Sequence, residues 1–195
     1  MTLLTVRAGP SGVNMRFAHD TEIALASAAA LVNTRQAGAD RLTDQAGLAA
    51  FLEENPYTGR IIGDEAELVD IRVIRERLRE VWDAPHRDAV VGLVNRLLEE
   101  SGARPYLARH DVWDWHLHVT EPDAPLAHRI AAESAMGFAD LVRVDDLARL
   151  RHCDAPDCDD VLVDLSRNRS KRYCDSRNCG NRLHVAAYRA RRSGS

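Results

Sequence analysis

A chain of 195 residues, 45% hydrophobic and with a net charge of −4, is long enough to bury one ordinary core and leaves room for a small second module. It contains no apolar run near ~18 residues and no charged-then-apolar leader, which argues against a membrane-spanning helix or a secretory signal and leads us to expect a soluble cytoplasmic protein. The charge is uneven: residues 1–150 carry 16 basic and 24 acidic groups, whereas residues 151–195 carry 10 basic and 6 acidic, so the last quarter is a separate, cationic unit.

Residues 1–19 read as an irregular or strand-like segment. Asp20 or Thr21 then caps a helix to about residue 33, built of Ala, Leu, Ile and Val and therefore expected to be buried. Thr43 offers the cap of a short second helix that stops at Asn55-Pro56. Asp64 and Glu67 have capping-box spacing ahead of a long amphipathic helix to about Trp82, in which Leu68, Ile71, Ile74, Leu78 and Val81 keep helical period. After Pro85, the residues Val90, Val91, Val94, Leu97 and Leu98 carry a fourth helix to a stop at Gly102.

The period then shortens to two. Trp113, Trp115, Leu117 and Val119 alternate with Asp114, His116, His118 and Thr120, the pattern of a strand with one apolar face. Residues 104–109 can pair with it through a turn at His110-Asp111, which would set a small sheet against the helices. Pro122 and Pro125 end the strand and open a helix over residues 126–141. Residues 142–150 contain no Gly/Ser/Pro linker, so the two units are expected to touch. There is no internal repeat, low-complexity tract or glycine-rich phosphate loop.

The strand offers one candidate site. His116 and His118 share a face with Asp114, and His110 and His128 are candidates to join them, so the group can serve as a metal site, as an acid/base pair, or simply as the wet side of an edge strand. No Ser/His/Asp order, HExxH or carboxylate dyad accompanies it, and the residues point away from an enzyme.

The last quarter carries the clearest chemistry. Cys153, Cys158, Cys174 and Cys179 are the only cysteines and follow the pattern C-x4-C-x15-C-x4-C. Two close pairs on tight loops, brought together by a folded insert, suit one structural zinc; the spacing and the absence of an export signal argue against a redox pair or disulfides. Residues 161–165 have strand character, residues 166–170 are turn-like and residues 171–174 can return as a second strand, which predicts a hairpin between the two ligand pairs. Residues 183–192 read as a helix that starts at the last ligand. It sets Cys179, Leu183, Ala186, Ala187 and Ala190 on a presumptive inner side opposite Arg189, Arg191 and Arg192, with Val185 and Tyr188 inside the arginine arc. His184 points away from Cys179 and is read as surface.

From residue 165 to residue 192 there are nine basic residues against Asp175 alone. The functional reading is contact with duplex DNA: phosphates met by Arg167, Arg169, Lys171 and Arg172 on the hairpin and by Arg182, Arg189 and Arg192 on the helix, with Asn168 or Asn181 bonding a base or phosphate. The plainer reading is a solvated face, with Arg182 bonding carbonyls of the hairpin.

Cys179-Gly180-Asn181-Arg182, preceded by the turn Ser166-Arg167-Asn168-Arg169-Ser170, resembles the signature of the CGNR zinc-finger family. In that family the finger follows an ABATE domain, whose start the stretch Ala30-Leu31-Val32-Asn33-Thr34 resembles. The resemblance implies a stress-related transcriptional regulator. The expected architecture is therefore mainly α with a small β-hairpin over residues 1–148, followed over 149–195 by a treble-clef-like finger of hairpin and helix around one zinc. The expected role is DNA-binding regulation, with the N-terminal domain sensing a small-molecule effector or mediating assembly, for example as a homodimer. The alternatives are a protein-interaction module stapled by zinc and, third, an enzyme using the His116/His118 strand.

Overall fold

The structure, a computed structural model, describes residues 17–36, 38–109 and 115–193. Among them, six helices and three two-stranded antiparallel ribbons follow one another. Helix α1 (His19–Val32) leads through the ribbon of β1 (Arg35–Gln36) and β2 (Ala39–Asp40) to α2 (Gln45–Glu54), α3 (Glu65–Asp83) and α4 (Arg87–Glu100). The ribbon of β3 (Tyr106–Ala108) and β4 (His116–His118) precedes α5 (Leu126–Arg143), and β5 (Leu150–His152), β6 (Val161–Val163) and α6 (Cys179–Ser193) complete the described chain.

Side-chain caps place α2 and α3 with small shifts, whereas α1 begins at His19 after Ala18, ahead of the expected Asp20 or Thr21 and with no side-chain cap. Asp44, one residue past the expected Thr43, accepts the Gly47 amide and caps α2. The Asp64 carboxylate accepts the Glu67 amide as a capping box requires, but the Glu67 carboxylate reaches past Asp64 to the amides of Ile62 and Gly63. The stop at Gly102 holds: its φ of +67° is the left-handed conformation that ends α4.

Helix α5 is the centre of the core, packed by α1, α3 and α4. Leu25, Leu31, Leu68, Ile71, Leu78, Ile130 and Phe138 are wholly buried there, and the edge of Trp82 meets the Phe138 ring at 5.2 Å. The apolar α1 is largely covered because α5, α3 and β6 all pack on it, but Ile23 and Ala26 stay exposed.

Two expectations are corrected here. The β3–β4 ribbon forms with Leu107 opposite Leu117, but its apolar side faces outward: Trp115 is 63% exposed and Leu117 45%, and among the described residues of that set only Val119 is buried. Alternation identifies residues that share a face; it does not say which face a neighbour covers. His118, on the other face, stacks on the Tyr106 ring, and His128 lies exposed on α5. Residues 1–16, His110, Asp111, Trp113 and Asp114 lie outside the described residues, as does the side chain of His116.

The second correction concerns the cysteine-bearing segment. The predicted hairpin between the ligand pairs does not form. Val161–Val163 instead pairs backward with Leu150–His152, and residues 171–174 are not a strand. Val161, Leu162 and Val163 are all buried, and Val161 and Val163 join the core of the helices. A strand that apolar is stabilised by pairing on one side and by helix contact on the other: β6 packs on α1 and pairs with β5, which packs on α3.

Candidate metal centre

The β5–β6 ribbon is fixed to the helices by side chains that sequence reasoning missed. The Asn33 amide, just past α1, donates to Val161 O and accepts from Val161 N, both at 2.8 Å, so it plays the part of a neighbouring strand's peptide. Trp82 Nε1 donates to Leu162 O, and Arg79 donates to Asp159 O. No spacing rule marks Asn33 or Trp82 for these roles; they look in sequence like a helix end and a core aromatic.

At the tip of this ribbon Cys153 and Cys158 flank a tight loop, in which the Cys158 amide donates to Ala155 O. The second pair follows the loop of residues 164–173. Buried Asp164 organises that loop by accepting the amides of Ser166 and Lys171 and the Ser166 hydroxyl. Arg149, itself buried, donates to the carbonyls of Asp164 and Ser166 and pairs with Asp146. Cys174 then leads through a turn into α6, whose first residue is Cys179, as predicted.

The four sulfurs lie within 4.8 Å of one another, with Cys158 to Cys174 at 3.7 Å and Cys174 to Cys179 at 3.6 Å. A tetrahedral zinc with bonds of ~2.3 Å separates its sulfurs by about 3.8 Å, so the donor set fits the ion. The thiols are free, not joined as disulfides. Burial raises the Cys158 thiol to about 11 and raises Cys174 as well, and a cation among the sulfurs would offset that cost by favouring their thiolate forms. Burial also acts against the Cys179 thiolate, but hydrogen bonds led by that of Arg182 outweigh it and lower that thiol. Buried Asp160 adds negative charge nearby: its Oδ2 accepts from Ser176, and its Oδ1 has no hydrogen-bond partner. Four sulfur donors with no open position describe one structural zinc, held to fold the chain rather than to do chemistry.

The geometry also explains the Cys-Gly-Asn-Arg run. Arg182 grips both carboxylate oxygens of Asp157, one at 2.8 Å, while its Nη2 lies 3.3 Å from Cys179 Sγ. It thereby ties the loop of the first pair to the helix of the second. The hydrogen bond from Arg182 lowers the Asp157 carboxyl to about 2. A Cβ at Gly180 would lie 3.3 Å from the Tyr173 ring, a tight fit that favours glycine. Asn181 is exposed.

The predicted nucleic-acid residues divide into two groups. Arg169 pairs with Asp146, Lys171 with Asp175, Arg172 with Asp154 and Arg182 with Asp157, so each has an acidic partner within the chain. Arg167 and Asn168 are exposed on the turn, Arg189 is exposed on α6, and Arg192 lies over the Tyr188 ring. Three of the partners, Asp146, Asp154 and Asp157, precede the basic stretch, so counting charge from residue 165 onward did not reveal them. His184 is exposed, in keeping with its surface reading. The inner side expected of α6 is absent past Val185: Ala186, Ala187 and Ala190 are exposed like the arginines, because no described element covers that part of the helix.

A family model described as "CGNR zinc finger" matches residues 149–192. A second, ABATE, described as "Putative stress-induced transcription regulator", matches residues 25–145, more than half of the chain. Among curated proteins no match is found. The chain belongs to the ABATE family and carries a CGNR zinc finger built on four cysteines around one structural zinc site.

Proposed function

We propose that this protein is a cytoplasmic, stress-related transcriptional regulator that binds duplex DNA through residues 149–195, while residues 1–148 sense a ligand or mediate assembly. The observation that carries this reading is the second half of α6. Residues 186–192 are exposed around the whole helix and include Arg189, Arg191 and Arg192. An α-helix clear of its own protein fits the major groove of DNA, and cationic side chains along it meet phosphates. The phosphate contacts are assigned mainly to the cations exposed on the turn and along α6, Arg167, Arg189 and Arg192, with Asn168 beside them.

Three contacts of this kind give log affinity a slope of roughly −3 against log salt, at about −0.9 per contact. Titration of a labelled duplex with zinc-loaded protein at several salt concentrations tests this. Absence of binding at low salt, or binding that survives replacement of Arg167, Arg189 and Arg192 by Ala, overturns it. The same internal ion pairs support a second reading, a protein-interaction module in which zinc and arginines are staples. Under that reading α6 meets an acidic protein surface, and duplex binding is absent.

A further inference from the structure

A cleft of about 400 Å³ opens between the helices and the finger, within the size range of small-molecule sites. One wall is Ala26, Ala29 and Ala30 of α1, with Phe51 behind them; the other is the buried strand β6 and the loop that ends at Ser176. We propose that this cleft binds a small organic acid with an apolar body. The proposal rests on the ligand-sensing part of the reading above and gives it a place and a chemical class.

The lining selects that class. Its neutral polar groups are already engaged: Asn33 bonds Val161 and Ser176, Ser176 donates to Asp160, Ser166 to Asp164, and the Asn55 amide to Phe51 O. They have little left to offer a polar ligand, so the body that fits between the alanines and Val163 is apolar. Two ion pairs sit at the rim, Arg41 with Glu54 and Lys171 with Asp175. In the second pair the cation is the inner partner, for the Lys171 side chain is 33% exposed and that of Asp175 is 86% exposed. One donor of the Lys171 ammonium goes to Asp175, and an ammonium has three, so Lys171 keeps capacity for a ligand carboxylate at the edge of an apolar floor. Arg41 uses a single nitrogen, Nη2, on both oxygens of Glu54 and likewise has further donors. The Lys171 main chain is held by Asp164 and Arg151, so a ligand seated here presses on the loop that leads into Cys174.

Two fluorescent probes of similar shape test this on the full zinc-loaded chain: the anionic anilinonaphthalene sulfonate and the neutral phenylnaphthylamine. The expected result is saturable binding of both at one site. Ala30→Leu, a substitution that a helix accepts, should fill the cleft and abolish both. Lys171→Met should weaken the anionic probe by about tenfold, the worth of one charge-assisted hydrogen bond, and leave the neutral probe unchanged. Benzoate should displace the anionic probe from the native chain and not from Lys171→Met. The proposal is overturned if neither probe saturates, if a folded Ala30→Leu chain binds both as before, or if Lys171→Met binds the anionic probe undiminished. Should Ala30→Leu fail to fold, the Lys171→Met arm decides alone. Duplex titration of the same proteins judges the regulator reading separately, since a chain that binds probe but no DNA keeps the cleft and loses the regulator.

Discussion

The two halves of the metal centre are built differently, although each supplies two cysteines. The half that carries Cys153 and Cys158 is the tip of a ribbon whose Val161 and Val163 belong to the core of the helices, and Asn33 and Trp82 bond its backbone. The half that carries Cys174 and Cys179 is held more lightly: Asn33 also reaches Ser176 Oγ at 3.3 Å and Ser176 donates to Asp160, but none of the described residues from 174 onward joins the core of the helices. Only Tyr173 and Leu183 pack on the cysteine cluster from that side, and α6 is exposed beyond Val185. Burial of roughly 1.5–3 kcal/mol per large apolar side chain can hold the first half in place, whereas it offers the second very little. The metal therefore has unequal work: it completes one half and creates the other. Dependence on zinc is a property of the second half, not of the whole segment from residue 149 onward.

Removing the metal should produce the largest effect. Cys174→Ser should bring the zinc content measured by elemental analysis from one per chain to none, with a loss on the order of 10 kcal/mol of metal-linked folding free energy. Circular dichroism should register the loss of α6 while a cooperative thermal transition from the other helices remains. Collapse of that transition as well would erase the distinction between the halves.

Next in size is the anchor of the first half. Asn33→Ala strands the buried amide and carbonyl of Val161 and should cost about 1–3 kcal/mol in denaturant unfolding. The cost of the two Val161 bonds should be the same with and without zinc, because they lie on the metal-independent side, whereas the longer contact of Asn33 with Ser176 Oγ adds at most a smaller zinc-dependent part. An effect seen only in the zinc-loaded protein would contradict this.

The link between the halves comes third. Arg182→Ala breaks the grip on Asp157 and the contact with Cys179 Sγ, and a supporting residue of this kind commonly changes metal affinity by about 10–100-fold. Competition with a chromophoric chelator measures it. Arg182→Lys should recover little, since a single ammonium cannot hold both oxygens of Asp157.

The last effect belongs to the helical core and depends on pH. Burial raises the Glu133 carboxyl from 4.5 to about 7, with the charge of Arg129 pulling the other way. Between those values the folded chain holds a proton that the unfolded chain releases, so this group lowers stability as pH rises from about 4.5 through 7. Glu133→Gln should raise the melting temperature at pH values above that window relative to the native chain and remove this part of the decline. The difference should appear in zinc-loaded and stripped protein alike; a difference confined to one of them would tie Glu133 to the metal side.

Much of this was legible before any coordinates. The periodic runs of α3 and α4 have caps and a stop that constrain few residues and act locally, and the four cysteines are spaced for one ion. What escaped depends on contacts between distant segments. Val161-Leu162-Val163 reads as a strand, but three consecutive buried residues do not say whether the partner lies before or after, and Leu150–His152 is too short to announce itself. The same limit explains Trp115 and Leu117, and the alanines of α6, since a shared face is visible in sequence and its cover is not. In sequence Arg182 fits both a phosphate contact and a structural role. Its partner Asp157 lies 25 residues earlier, within the loop between the first two cysteines, where sequence spacing carries no signal for an ion pair.

The central claim is that zinc creates one half of its own site and only completes the other. Hydrogen exchange followed by mass spectrometry, on zinc-loaded and chelator-stripped full-length chain, tests it most directly. The account predicts that stripping abolishes protection over residues 174–193 and leaves it over residues 150–163 and in α1, α3 and α5. Equal loss of protection over residues 150–163 and 174–193, or retention of protection in α6 without metal, would contradict it.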